Sequence, residues 1–203
     1  KKKNNFHYLP IPVDKNIEKL KIYENKNQIC DVFFSMSHGV NRGKLKRDKV
    51  DERHNFISDL ITECPNIIFD IYGYKNREPV WAEDFYKVIV NSKMALNLTR
   101  GRPLKYLTSN RIASLIGNGL LTFIDKKTKL NNFFNNNEVV FYSGLQDLAD
   151  KINYYKSNDV SRIKIAKNGR KKYFDLFECQ KVANYIISKS FDREIPKLLK
   201  WMD

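Results

Sequence analysis

The groups best suited to chemistry fall in one short stretch of the chain. It holds a set of cations within twelve positions and several hydroxyls between and beside them, namely Arg100, Arg102, Lys105, Arg111, Thr99, Tyr106, Thr108 and Ser109. Guanidinium, ammonium and hydroxyl groups in such density are typical of sites that bind phosphates. The alternative is a solvated loop in a lysine-rich protein.

The flanking sequence predicts the elements that would position this stretch. Residues 94–98 form an apolar run with the length of a buried strand, and residues 120–124 form another. Between them, Thr108, Ser109 and Asn110 offer N-cap side chains to a helix that ends at Gly117. This is one βαβ unit. Its cations would lie at the carboxyl end of a strand and beside a helix N-terminus, where α/β sheets bind anionic ligands.

The rest of the chain repeats the alternation of strands and helices. Further strands are predicted at 29–35, 67–72 and 139–142, and helices at 51–63, 79–92, 145–155 and continuously from 160 to 187. We therefore predict an α/β fold: a single Rossmann-like domain over 29–190, whose parallel sheet of about five strands has helices on both faces. Residues 1–28 would be a linker or incoming strand, and 191–203 an amphipathic helical C-terminal tail.

The bulk composition narrows the classes of partner. The 203 residues carry a net charge of +14, and 42% of them are hydrophobic. No apolar run is long enough for a membrane span, and no signal peptide opens the chain. Because the chain does not begin with methionine, we expect it to be a fragment of a longer protein. The charge favours nucleic acid, anionic lipid or phosphorylated small molecules, unless it reflects only a composition biased to lysine, asparagine and isoleucine.

Metal and cofactor motifs are missing from the sequence. The candidate ligands are Cys30, Cys64, Cys179, His7, His38 and His54. Their spacings match neither a disulfide framework nor a zinc site, so we expect free thiols in the cytoplasm and no metal. There is no GxGxxG fingerprint, Walker A motif, GxSxG elbow or Asp-x-Asp pair, so no cofactor is expected either.

Several stretches, weak one by one, occur in a familiar order. They are residues 8–10 ahead of 31–35, Arg53 opening the helix that leads to 71–73, Arg111 eight residues before 119–122, and 138–142 followed by 165–170. Together they resemble the C-terminal half of GT-B glycosyltransferases over residues 8–190, closest to CgeB-like enzymes of the family-1 type. The resemblance implies a bacterial hexosyltransferase of polysaccharide biosynthesis whose donor site lies against an N-terminal domain absent from this chain.

The resemblance also implies positions for the donor site. The first loop would approach the diphosphate through Ser37, His38, Gly39 and Arg42, and Arg53 would start the helix behind that loop. At the end of the second strand, the backbone of Tyr72 and Gly73 would meet the nucleobase. The cationic stretch would hold the donor phosphates and sugar through Lys105, Tyr106, Ser109 and Arg111. It implies metal-independent transfer to an acceptor hydroxyl. It identifies no catalytic residue, and the chain alone is expected to bind nucleotide without turning it over.

One position departs from the family pattern. Many relatives carry a glutamate three residues after the equivalent of Arg111, where this chain has Ser114, and a second glutamate would fall near Tyr106. This departure leaves open a catalytically silent domain, and the net charge with the aromatic residues leaves open a basic nucleic-acid-binding module. The expected partners are a nucleotide sugar, the N-terminal domain and, peripherally, a membrane surface, with no specific nucleic acid.

Overall fold

The computed structural model describes residues 8–37 and 51–195, which contain a five-stranded sheet. Its strands are β1 (Cys30–Ser35), β2 (Phe69–Tyr72), β3 (Ser92–Asn97), β4 (Leu121–Asp125) and β5 (Val140–Tyr142). All neighbours pair in parallel, in the spatial order β2-β1-β3-β4-β5. The predicted α/β fold with one Rossmann-like sheet is confirmed.

Helices cover both faces of this sheet. They are α1 (Glu52–Glu63), α2 (Ala82–Ile89), α3 (Asn110–Gly117), α4 (Leu145–Ser157), α5 (Asp159–Phe177) and α6 (Cys179–Ser190). None of the helices in the described ranges is long and apolar enough to cross a membrane.

Alternation along the strands sorts the core into two layers. On β1, Val32 and Phe34 face α1 and α4, whereas Phe33 between them faces α2 and α3. On β3, Met94 and Leu96 take the first face and Ala95 takes the second. These side chains are almost fully buried, and each large one contributes roughly 1.5–3 kcal/mol of burial free energy. The apolar runs that were predicted to form β1 and β3 are therefore strands whose side chains are buried on both faces of the sheet.

The predicted continuous helix from residue 160 to 187 is wrong in one place. The chain leaves the helical conformation at Glu178, with φ −61° and ψ 141°, and this residue separates α5 from α6. Val13 causes the break: its N–H donates to the Phe177 carbonyl, and its own carbonyl accepts from the Cys179 N–H, both at 2.9 Å. A strand-like pairing with a distant segment thus replaces a turn of helix.

The N-terminal segment lies against the sheet domain. Val13 and Ile22 are buried, and Ile22 donates its N–H to the Asn118 carbonyl at 2.7 Å. The division into 1–28, 29–190 and 191–203 stays a prediction. The predicted tail lies outside the described residues from position 196 onward.

The order of the strands creates a crevice. From β1 the chain passes through α1 to β2 on one side, whereas from β3 it passes through α3 to β4 on the other. The crossovers that follow these adjacent strands therefore lead to opposite sides of the sheet. Open α/β sheets bind their ligands at such switch points.

Candidate functional site

A cavity of about 330 Å³ opens at this switch point, and we call it the β1–β3 cavity. It lies between the end of β1 and the starts of α1, α2 and α3. Its described lining consists of Ser35, Met36, Ser37, Arg53, Val80, Trp81, Ala82, Phe85, Tyr86, Asn110, Arg111 and Ser114. No carboxylate occurs in this lining, so the charged groups that the described chain presents to the cavity are both guanidinium groups.

Arg111, in the first turn of α3, joins the ends of the two strands. Its Nη1 donates to the Ser35 carbonyl at 2.6 Å, its Nη2 to the Leu98 carbonyl at 2.5 Å, and its Nε to the Asn97 Oδ1 at 3.2 Å. Burial lowers the pKa of the guanidinium to about 10, and the positive charge of Arg53 adds to this shift. Arg111 therefore stays charged at neutral pH. No carboxylate of the described residues forms an ion pair with it.

Arg53 enters the cavity from the first turn of α1 and carries its own counter-ion. Its Nε and Nη2 donate to the Asp51 carboxylate at 2.9 and 2.5 Å. Both side chains are buried, at 7% and 1% exposure. Asp51 also caps α1 by accepting the Arg53 backbone N–H. The fork is therefore fixed in orientation, and the positive charge of Arg111 is the one left without an ionic partner in the described part of the cavity.

Helix ends add to the positive potential. Helix α3 begins at the cavity, where the Ser109 Oγ caps it by accepting the Ile112 N–H at 3.3 Å. Helix α2 begins there after Trp81, which provides no side-chain cap. Unpaired N–H groups and the helix dipole both favour an anion at such ends. Ala82, at the start of α2, has φ +49°, a strained conformation that is concentrated at ligand sites.

An apolar wall faces the cations. It is formed by Val80, Trp81 and Phe85, and the Trp81 side chain is 61% exposed. An exposed aromatic beside an anion site provides a flat surface for a planar or ring-shaped group. The cavity therefore suits a ligand with an anionic part and a ring.

The structure brings some of the predicted site residues together. Ser37, Arg53 and Arg111 all line the β1–β3 cavity, although they come from three separate parts of the chain. His38, Gly39 and Arg42 lie outside the described residues. Ser109 caps α3 next to the lining residue Asn110.

Tyr72 and Gly73 end β2 outside the described lining of the cavity. The Arg77 guanidinium lies 3.7 Å from the centre of the Tyr72 ring and donates to the Asp70 carboxylate at 2.5 Å. The Gly73 N–H donates to the Arg77 carbonyl at 2.9 Å. This backbone group is therefore engaged in a turn, and the predicted contact with a nucleobase stays a prediction.

Lys105 and Tyr106 line a neighbouring groove instead of the cavity. The Tyr106 hydroxyl accepts from the Asn132 Nδ2 at 2.6 Å, and its backbone N–H donates to the Thr128 carbonyl at 2.7 Å. The Lys105 ammonium lies 4.6 Å from the centre of the Tyr106 ring. Tyr106 thus holds two loops together, and its predicted role at the donor sugar stays a prediction.

The α2 side of the cavity was not predicted from the sequence. Trp81 is a lining residue that no motif indicated, and Asn110, predicted only as a possible helix cap, lines the cavity from α3. The available signal was weak: Trp81 is one of two tryptophans and follows Pro79 at a predicted helix start. Within the described residues, no group of three or more histidine, cysteine, aspartate or glutamate side chains could hold a metal ion.

The chain is similar to known proteins in sequence and in fold. A family model described as glycosyl transferase-like matches residues 49–188. No curated protein matches the chain. Among solved structures, HepE from Anabaena in complex with UDP is 12% identical with a TM-score of 0.66, covering 91% of this chain and 57% of HepE.

Two further solved structures share the fold. Sucrose-phosphate synthase from Thermosynechococcus elongatus is 10% identical with a TM-score of 0.59, covering 92% of this chain and 52% of that protein. TarM is 12% identical with a TM-score of 0.56, covering 79% of this chain and 35% of TarM. The chain thus spans 35% to 57% of the length of these structures, and its sheet domain has the Rossmann-like fold found in GT-B glycosyltransferases.

Proposed function

The chain belongs to the glycosyl transferase-like family, and we propose that it is the donor-binding, C-terminal half of a GT-B enzyme of the CgeB-like type. In this proposal the β1–β3 cavity holds a nucleoside diphosphate sugar. The observation that carries it is the charged Arg111 guanidinium, fixed between the ends of β1 and β3 with no carboxylate in the described lining.

The diphosphate is the group that this arrangement fits. When the bond between the anomeric carbon and the diphosphate oxygen breaks, the electron pair and the developing charge stay on the diphosphate. Arg111 and the starts of α2 and α3 stabilise that charge through a cation and fixed dipoles in a partly desolvated site. The described lining offers no carboxylate to bridge a divalent cation to the phosphates, which supports metal-independent transfer.

The nucleoside and sugar would occupy the rest of the cavity. Trp81 and Phe85 provide the surface on which a base stacks, and Ser37 and Asn110 provide hydrogen bonds. Ser114 stands where many relatives carry a glutamate, so the sugar hydroxyls would lack that carboxylate contact here. HepE was solved with UDP and also with UDP and glucose, so uridine nucleotides are the first to test.

Completion of the reaction requires more than this chain. We assign the acceptor hydroxyl and the base that takes its proton to a second, N-terminal domain, so residues 1–203 bind the donor but transfer no hexosyl group alone. Transfer would serve polysaccharide biosynthesis in a bacterial cytoplasm. The three free cysteines support a reducing compartment.

The test compares nucleotide binding by the wild type with binding by a variant in which a larger side chain fills the cavity. Thermal stability is measured against UDP, GDP, ADP and CMP for wild type and for Ser114→Leu, which adds an apolar side chain to the cavity without removing a charge. Ser58→Leu, on the exposed side of α1, is the matched control. We expect one nucleoside diphosphate to raise the thermal stability of wild type and of the control. Ser114→Leu should bind that nucleotide with an apparent affinity at least about tenfold lower.

Two results would contradict the proposal. One is the absence of any nucleotide response in wild type. The other is an equal response in wild type and Ser114→Leu, because the nucleotide would then bind elsewhere. Steeply salt-dependent binding to DNA or RNA without a nucleotide response would instead favour the nucleic-acid-binding alternative.

A further inference from the structure

A second, larger groove of about 1380 Å³ lies at the same edge of the sheet. Two loops form it, one between β3 and α3 and one after β4. The cations in its lining are Arg102, Lys105, Lys126, Lys127 and Lys129, and its one described carboxylate is that of Glu52. We call it the basic groove.

The cations of the basic groove are free to meet a ligand. All five are exposed, and within the described ranges none of them forms an ion pair. The charge of this concave lining is predominantly positive, five cations against one carboxylate, and such an excess focuses the field and concentrates anions. An exposed apolar side chain, Leu104, lies in the same lining.

The groove is also held in shape. Tyr106 joins the two loops through its N–H to the Thr128 carbonyl and its hydroxyl to Asn132. Thr128 is itself anchored, because its Oγ1 donates to the Asp125 carbonyl at 2.7 Å. Tyr106 and Lys129 adopt left-handed conformations, with φ +60° and +58°. Such strain persists where the surroundings determine the backbone, and it concentrates at binding sites.

Shared lining residues connect the basic groove to the β1–β3 cavity. A third cavity of about 260 Å³ shares Glu52, Gly101, Pro103 and Lys127 with the groove, and its lining also includes Asp125. It shares Arg53 with the β1–β3 cavity. The three spaces therefore follow one another along the carboxyl edge of the sheet, from β1 to the loop after β4.

We propose that the basic groove binds the outer part of an anionic glycan chain, the acceptor, and that the chain follows this path to the β1–β3 cavity, where the second domain would hold its reacting hydroxyl. This inference rests on the proposed function of that cavity. A groove suits a chain with a charge repeated along its length better than it suits a flat membrane surface. Single-stranded nucleic acid would need aromatic faces for its bases, whereas the Tyr106 ring is 9% exposed and covered by Lys105.

The experiment measures equilibrium binding of fluorescent oligosaccharides to the 203-residue chain. The probes are neutral dextran, phosphorylated dextran and oligogalacturonate, so that phosphate and carboxylate chains are distinguished. The variant is Arg102→Gln/Lys126→Gln/Lys127→Gln. The control is Lys26→Gln/Lys164→Gln/Lys167→Gln, which removes the same charge from exposed positions at the amino end of the sheet.

We expect wild type and the control to bind at least one anionic chain and to leave neutral dextran unbound. The groove variant should bind at least about tenfold more weakly and with a shallower salt dependence. Equal weakening in the control, or equal binding of dextran, would overturn the proposal. The proposal would also be overturned if wild type bound duplex DNA or phosphatidylglycerol vesicles more tightly than the anionic oligosaccharides and the groove variant lost that binding.

Nucleotide binding in the same variants separates the two proposals. None of the three substituted groove residues lines the β1–β3 cavity, so the groove variant should keep its nucleotide response. A wild type that binds the anionic chain through the groove but no nucleotide would contradict the donor site and the acceptor role together, leaving an anion-binding groove. A wild type that binds nucleotide but no anionic chain contradicts this inference alone.

Discussion

The Nη1 of Arg111 donates to the carbonyl of Ser35 at 2.6 Å, across the boundary between α3 and the end of β1. The same guanidinium holds the Leu98 carbonyl at the end of β3. One side chain thus satisfies two strand ends and presents a positive charge to the cavity between them. A structural role and the proposed binding role coincide in this residue, so substitutions of it must be measured for both.

Replacement of Arg111 should reduce both stability and nucleotide binding. Arg111→Ala leaves two carbonyls without donors, and we expect it to lower the free energy of unfolding by about 3 kcal/mol and to abolish the nucleotide response. Arg111→Lys keeps the charge but loses the fork, so both losses should be smaller. Urea denaturation with and without UDP measures them.

Arg170 supplies the matched control for this experiment. Its Nη2 donates to the Glu18 carbonyl at 2.8 Å, away from the cavity lining. Arg170→Ala should destabilise the chain while leaving the nucleotide-dependent increase in stability unchanged. An equal loss of that increase in both alanine variants would mean that Arg111 acts only through stability.

The Asp51–Arg53 pair should be strongly coupled because both side chains are buried. Asp51→Ser keeps an oxygen to cap α1 but removes the carboxylate, and Arg53→Met removes the guanidinium. Each single change breaks a buried ion pair, and we expect a cost of about 3–5 kcal/mol. The double variant should cost less than the sum, as a double-mutant cycle by urea denaturation would show. Additive costs would mean that the two charges do not interact.

Asp31 should make the stability depend on pH. Burial alone raises the pKa of its carboxyl, but the hydrogen bond from the Ile68 N–H and the ammonium groups of Lys156 and Lys93 outweigh burial, and the net pKa is lowered. Because the folded-state pKa lies below the unfolded one, this stabilisation is present above about pH 4 and is lost as the pH falls through the folded-state pKa.

The measurement compares Asp31→Asn with wild type in urea at pH 7 and pH 3. At pH 7 we expect the variant to be less stable by roughly 2 kcal/mol, and the difference should shrink in acid. Asp84→Asn removes a carboxylate that is paired with Lys87 on an exposed helix surface, and it should change stability little at either pH. A pH-independent difference for Asp31→Asn would assign its effect to packing.

Gly169 should resist replacement although it lies inside α5. A Cβ at this position would lie 2.1 Å from the Glu138 carbonyl oxygen, a backbone atom that cannot move alone. Alanine favours a helix by about 1 kcal/mol over glycine, yet we expect Gly169→Ala to destabilise by about 2 kcal/mol. Lys167→Ala, exposed on the same helix, is the control. A stabilised Gly169→Ala would show that α5 can shift away from Glu138.

Some elements could be predicted from the sequence because the residues that determine them lie within the element itself. The βαβ unit around α3 was predictable because its strands are apolar runs, Ser109 caps the helix and Gly117 ends it. The position of Arg111 at the strand ends was predictable because it lies in the first turn of that helix, and the N-terminus of a crossover helix lies at the carboxyl ends of the strands. Its role as an anion ligand stays a prediction.

Other positions depend on partners far away in the sequence. Tyr106 adopts φ +60° because Thr128 and Asn132 hold it, and nothing local to the β3–α3 loop announces this. The helix from 160 to 187 breaks at Glu178 because Val13 pairs there. Trp81 lies at the cavity because α2 packs against the sheet in this position. A pattern with a period of 2 or 3.6 residues describes an element but not the contact that positions it.

The pairing of Val13 with the α5–α6 junction also affects how the chain reaches its native state. The Tyr173 hydroxyl donates to the Ile11 carbonyl at 3.0 Å, which closes a loop of 162 residues. Closing so long a loop costs more entropy than forming any neighbouring βαβ unit. We therefore expect this segment to dock last in folding and to detach first. Amide hydrogens of Val13 and Cys179 would then exchange with solvent faster than those of β3. The sheet can therefore form completely before the N-terminal segment docks against it.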